Sequence, residues 1–162
     1  MKEYRLQSSP GEVPGPVADI PFFSGIAPDT LKEIVKHTNI LDCEPGDHLV
    51  EEGSQDDSLL FLLKGQVCVE KEGTIIAATS GAGDMLGEIA LLKDGTRSAT
   101  LVAESHVYCL KVDQHFLDNL SDTDRNAYYA GMYRFLAELL AKRLDATSQK
   151  LARAEQMLAQ KQ

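Results

Sequence analysis

Apolar and polar positions change rhythm three times along this chain. Residues 1–18 hold Pro10, Gly11, Pro14, Gly15 and Pro16 and no periodic apolar set, so a flexible segment without regular structure is expected there. In "PFFSGIAPDTLKEIVKHT", Leu31, Ile34 and Val35 lie at helical spacing, with Asp29 as the expected cap of a short helix. From Ile40 to about Val112 short β-prone runs such as "LLFLL", "QVCVEK", "TIIAAT", "SATLVA" and "HVYCLKV" alternate with turn signals, among them "PGD", "EGSQDD", "KG", "EG", "SGAGD" and "DG". Short strands at such spacing predict an antiparallel sandwich or barrel. "DQHFLDNL" then reads as a short helix capped by Asp113.

From about residue 125 the period turns helical and stays so to the end. Tyr133, Ala137, Leu140, Leu144, Thr147, Leu151, Ala154 and Leu158 recur at alternating spacings of four and three. That is a heptad seam, and one small β-domain cannot cover a helix of this length. A two-stranded coiled coil between two copies is expected. The fold class is therefore α+β: an antiparallel β-roll or jelly-roll barrel, short N-terminal helices, and a long C-terminal dimerisation helix. The expected divisions are a flexible segment over 1–18, a β-roll domain over 19–124, and the helix over 125–162.

Composition narrows the function. With 43% hydrophobic and 25% charged residues the 162-residue chain is an ordinary globular one, and its net charge of -9 offers no basic footprint for nucleic acid. No apolar run is long enough to span a bilayer, and no secretory h-region is readable at the N-terminus. Cys43, Cys68 and Cys109 are odd in number and widely spaced, which fits buried thiols in a reducing cytoplasm rather than a disulfide framework.

The chemistry concentrates in "GEIALLKDGTRSAT", Gly87 to Thr100. A glycine opens one turn of helix, whose first N–H groups favour an anion. Gly81, Gly83 and Gly87 let the backbone come close to a ligand. Arg97, nine residues beyond Glu88, has a planar fork suited to phosphate. A carboxylate beside a phosphate is repulsive unless it has another task; Glu88 can accept from a sugar hydroxyl and pair with Arg97. An anion, a hydroxyl and an apolar wall suit a cyclic monophosphate. A triphosphate does not fit, because the GxxxxGK[ST] loop is missing.

Gly87–Ala99 resembles the phosphate-binding cassette of cyclic-nucleotide-binding domains, which reads roughly F-G-E-[LIV]-A-L followed by R-[AST]-A. The likeness runs from Phe23 to about Leu151 and includes "CEPGDHLVEEG" and "LLFLLKGQVCV". It implies a non-enzymatic β-roll flanked by helices, with no metal, cofactor or catalytic residue. It also implies that Glu88 takes the ribose 2′-hydroxyl and that Arg97 holds the cyclic phosphate, helped by Ser98 and the N–H groups of Ile89, Ala90 and Ala99. Val69, Ala77, Ala78 and Leu86 would line the sugar and base pocket; Leu86 stands where the family usually has an aromatic residue.

"AKRLDATSQKL" is similar to the start of the dimer helix in bacterial catabolite activator proteins. That likeness implies that Thr147 meets the adenine amino group, that Ser148 reaches across from a second copy, and that Arg143 lies near the pocket. Serine at 98, with Thr147, leans to cAMP ahead of cGMP. Those activators continue into a DNA-binding module; this chain ends 14 residues after Ser148, so DNA binding by it alone is not expected. A piece of a longer protein and a stand-alone sensor both remain open, as does the identity of a downstream partner. Two other readings stand beside the sensor. One is a dimerisation module of the same fold without ligand. The other is a cupin-type metalloenzyme suggested by "PGDHLVEEG", against which no HxH or HxxxH pair exists.

Overall fold

The computed structural model describes residues 1–9 and 11–160. They form two compact units, Met1–Arg125 and Asn126–Gln162. The first unit holds nine strands: β1 (Lys2–Arg5), β2 (Thr38–Cys43), β3 (His48–Val50), β4 (Leu59–Lys64), β5 (Val67–Lys71), β6 (Thr74–Thr79), β7 (Met85–Leu86), β8 (Thr100–Ala103) and β9 (Val107–Val112). Short helices α1 (Gly15–Ala18) and α2 (Pro28–Lys36) precede β2, α3 (Ile89–Leu92) sits between β7 and β8, and α4 (Asp122–Ala159) begins at the end of this unit. Two sheets, ordered β1-β2-β9-β4-β7 and β3-β8-β5-β6, pair antiparallel throughout. The α+β class, with antiparallel sheets and a long C-terminal helix, is as the residue pattern predicts.

β4 carries the apolar run Leu59–Leu63, and its two faces do different work. Leu60 and Leu62 join the core between the sheets with Leu41, Val67, Leu101 and Cys109. Phe61 points the other way and meets Phe22 and Phe23 at centroid distances of 5.4 and 4.9 Å. A strand buried on both faces loses the alternation that half-buried strands keep. β5 and β6 close on the two-residue turn Glu72-Gly73, with φ of 49° and 76°. Two consecutive left-handed residues suit the twist of a tight hairpin, and glycine takes the second without a Cβ penalty. β6 is an edge strand, and its Ile75 and Ile76 are 62% and 58% exposed.

Two expectations need correction. Residues 1–18 are not free of regular structure: Lys2–Arg5 pair with Asn39–Asp42 as β1, and Gly15–Ala18 form α1 with a proline in its first turn. The strand is exposed along its whole length and is held by main-chain pairing together with Glu3, which accepts from Asn39 Nδ2 at 2.6 Å and pairs with Lys111 at 3.6 Å. Nor is Asp29 the cap of α2; Ala27 is, because Pro28 starts the helix, and Asp29 sits in the first turn paired with Lys32 at 3.0 Å. Asp113 does cap the 3-10 turn Gln114–Asn119, accepting from the His115 N–H at 2.9 Å.

The second unit is helix. Tyr128, Met132 and Leu136 are buried, at four-residue spacing, and every residue from Ala141 to Gln160 is exposed. Of the seam positions, Leu144, Leu151 and Leu158 are 68%, 60% and 67% exposed in the single chain.

Candidate functional site

The site is built where β7 runs into α3. The Gly83 N–H donates to the Leu62 carbonyl at 2.7 Å and the Leu62 N–H to the Asp84 carbonyl at 2.9 Å, which anchors the approach to β7. Gly87 follows at φ 75°, and Glu88 stands at the N-cap position of α3 without a side-chain bond to its first turn. A Cβ on Gly87 would stand 2.2 Å from Arg97 Nη1, so glycine is required both by the backbone angle and by the guanidinium behind it. Glu88 and Arg97 are both 2% exposed.

Arg97 is held from three directions. Nη1 donates to the Gly87 carbonyl at 2.9 Å; Nη2 donates to the Ser58 carbonyl at 2.8 Å and to Ser58 Oγ at 3.0 Å. Asp56 Oδ2 lies 3.1 Å from the same Nη2. Nε is buried and, among the described residues, has no partner. A buried donor left unpaired costs about 1–3 kcal/mol, so the free site stores a demand for an acceptor.

The loop carrying Asp56 and Ser58 is laced to the segment before β8. The Arg97 N–H donates to the Ser54 carbonyl at 2.9 Å, the Gly53 N–H to the Arg97 carbonyl at 2.8 Å, and the Asp56 N–H to the Gly95 carbonyl at 2.9 Å. The Ser58 N–H in turn donates to Asp56 Oδ1 at 2.9 Å. Burial pulls the Asp56 carboxyl upward, but the Ser58 donors and the Arg97 guanidinium outweigh it and hold it below the usual carboxylate range.

The predicted residues fall into three groups. Gly87, Glu88, Ile89, Ala90, Arg97, Ser98 and Ala99 form one continuous turn and loop, with Ser98 and Ala99 half-buried ahead of β8. Here the Ala90 N–H is engaged by the Gly87 carbonyl at 3.2 Å. Val69 and Ala77 are cross-strand partners and share a face, whereas Ala78 is opposite Cys68 on the other face. Leu86 is 3% exposed and belongs to the core cluster. Arg143, Thr147 and Ser148 lie in the helical unit, exposed, with Thr147 Oγ1 donating to the Arg143 carbonyl at 2.8 Å. That bond to the preceding turn satisfies the hydroxyl within its own helix.

Asp56 and Ser58 are the contacts that residue reading misses. They stand in "EGSQDDS", which reads only as a turn, and nothing local links them to an arginine 39 residues on from Ser58. Among the described residues there is no group of three or more His, Cys, Asp or Glu able to hold a metal, and no helix is long and apolar enough to cross a membrane. Cys43, Cys68 and Cys109 are unbridged and buried; burial pushes the Cys43 thiol up to about 11 and Cys109 higher still.

The model of the cyclic nucleotide-binding domain family matches residues 40–124, and the chain belongs to that family. Over 135 residues the chain is 32% identical to the acetyltransferase Pat of Mycolicibacterium smegmatis, covering 80% of this chain and 38% of that protein. It is 31% identical over 108 residues to a Drosophila melanogaster cGMP-dependent protein kinase, isozyme 2 forms cD5/T2, covering 62% of this chain and 12% of the kinase. It thus spans well under half the length of either relative. The solved cAMP-bound PfPKA-R has the same fold, with a TM-score of 0.57 and 20% identity over 76% of this chain and 45% of that one.

Proposed function

We propose that the chain is a non-catalytic cyclic-nucleotide sensor that takes cAMP ahead of cGMP and reports occupancy through α4. The observation that carries this reading is the buried Arg97 guanidinium with its unpartnered Nε, set beside Gly87 and the start of α3 at Glu88. A singly charged cyclic phosphate would supply the missing acceptor, and the Glu88 carboxylate would take a ribose hydroxyl. Ser98, Ala99, Val69, Ala77, Ala78 and Leu86 are assigned to the pocket with the differences in exposure noted above. Of the relatives, the kinase is named for cGMP and PfPKA-R was solved with cAMP, so the preference for cAMP rests on Ser98 and Thr147 in this chain.

The reading extends to assembly. The exposed seam Leu144–Leu151–Leu158 is proposed to pair with a second copy, bringing Arg143, Thr147 and Ser148 to the base. Ligand binding that favours one arrangement of α4 would then shift its population and signal to a partner protein in the cytoplasm.

Titration calorimetry with cAMP, cGMP and AMP tests the site. Binding of a cyclic nucleotide by the wild type, weakened at least about thirtyfold in Arg97→Ala, is the expected result, since a charged hydrogen-bonded contact is worth roughly 2 kcal/mol or more. No heat with either cyclic nucleotide at millimolar concentration would remove the ligand and leave the dimerisation module. Thr147→Ala should narrow the preference for adenine over guanine.

A further inference from the structure

The cation of the candidate phosphate site already has an anion. We propose that Asp56 is the resident counter-ion of Arg97, and that an incoming phosphate must compete with it. The inference rests on the cyclic-nucleotide reading above and adds a residue that tunes it.

Three observations carry it. The Arg97 side chain is 1% exposed, and a guanidinium so placed needs a negative partner; Asp56 Oδ2, at 3.1 Å, supplies one. Nη2 has two hydrogens but three acceptors within reach: the Ser58 carbonyl at 2.8 Å, Ser58 Oγ at 3.0 Å and Asp56 Oδ2 at 3.1 Å. One of the three is in excess, and the Asp56 contact is the longest. Finally, Asp56 is 27% exposed, so its carboxylate can turn to water without leaving a buried charge, whereas the Ser58 carbonyl is main chain and cannot turn away. Asp56 is therefore the acceptor able to yield when a ligand oxygen arrives at the guanidinium. Its placement is deliberate in structural terms: the Ser58 N–H holds Oδ1, and its own N–H is fixed to the Gly95 carbonyl on the loop that leads to Arg97.

A counter-ion of this kind has opposite effects on the free and bound protein. It stabilises the free protein by neutralising Arg97, and it weakens anion binding by repulsion and by occupying Nη2. Asp56→Asn keeps the size of the side chain and removes only the charge, so it separates this role from simple packing.

Two measurements decide the matter. In the free protein, melting of Asp56→Asn, Arg97→Gln and the double variant should be non-additive, the pair losing less than the sum of the singles. Strict additivity would overturn the counter-ion. With cAMP, calorimetry should show Asp56→Asn binding about three- to fivefold more tightly than wild type, the size expected for one partly screened like charge removed, while Asp56→Glu restores the wild-type value. A merely structural Asp56 would give a less stable variant with equal or weaker binding, and that result would overturn the proposal. Absence of wild-type binding to either nucleotide would instead overturn the functional reading, and the competition with it, while the free-protein coupling would still decide the ion pair.

Discussion

Gly87→Ala joins the backbone to the proposed phosphate site, and its cost can be worked from the geometry. At φ 75° an alanine sits in the left-handed region, at about 1–2 kcal/mol. Its Cβ would be 2.2 Å from Arg97 Nη1 and 3.1 Å from Cζ, so the guanidinium must retreat by roughly 1 Å or more to reach ordinary contact distance. Retreat breaks the 2.9 Å bond from Nη1 to the Gly87 carbonyl and disturbs the contacts of Nη2 with Ser58 and Asp56. One hydrogen bond to a charged group contributes about 1.5–3 kcal/mol, so the total loss is about 3–4 kcal/mol. In a chain of this size that lowers Tm by on the order of 10 °C. Gly53→Ala is the control: φ is 79° there, yet nothing lies within 4 Å of its Cβ, so it carries the backbone cost alone. Thermal melts of both variants should differ by about 2 kcal/mol, the share assigned to Arg97. Calorimetry should show a loss of cyclic-nucleotide affinity of about ten- to a hundredfold in Gly87→Ala, and little change in Gly53→Ala. Equal melting of the two, or unchanged binding by Gly87→Ala, would refute the coupling between this glycine and the arginine.

Other outcomes follow from the same structure. Phe61 is fully buried against Phe22 and Phe23, so Phe61→Ala should cost about 3–5 kcal/mol in denaturant melts, and a loss under about 1 kcal/mol would contradict the packing. Because the Asp56 carboxyl is held below its usual range when folded, its contribution is present above the unfolded value, about 3.9, and is lost as pH falls through the depressed folded one. Asp56→Asn should therefore melt lower at pH 7 yet lose less than wild type as pH falls below about 4; parallel pH curves would contradict this. Leu151→Lys places a charge in the exposed seam, and sedimentation equilibrium at tens of micromolar should change from a dimer for wild type to a monomer. A wild-type monomer would end the coiled-coil proposal.

Much of the first unit can be read along the chain because its information is local. Turn residues separate the strands, and Gly87, Glu88 and Arg97 lie within eleven positions of one another. The β-roll, the helical turn entered from glycine and the long helix all belong to this kind. The places where reading fails share a different property. Lys2–Arg5 forms a strand because β2 offers main-chain partners, and "KEYR" carries no pattern that says so. "TIIAAT" reads as a strand, and only the sheet order, which puts it at an edge, decides that Ile75 and Ile76 are exposed. Leu86 is expected at the ligand wall from the resemblance alone; that it also joins the core cluster follows from the pairing of β7 with β4.

Residue order is enough for the architecture and for the presence of a glycine, a carboxylate and an arginine in one short cassette, since hydrophobic period and turn chemistry act over a few neighbours. It does not say what the arginine's charge rests on. Asp56 and Ser58 reach Arg97 only when the loop after β3 is laced to the segment before β8, across about forty residues of chain. The balance of a buried charge depends on every group brought within a few ångströms of it, and folding, not proximity along the chain, chooses those groups.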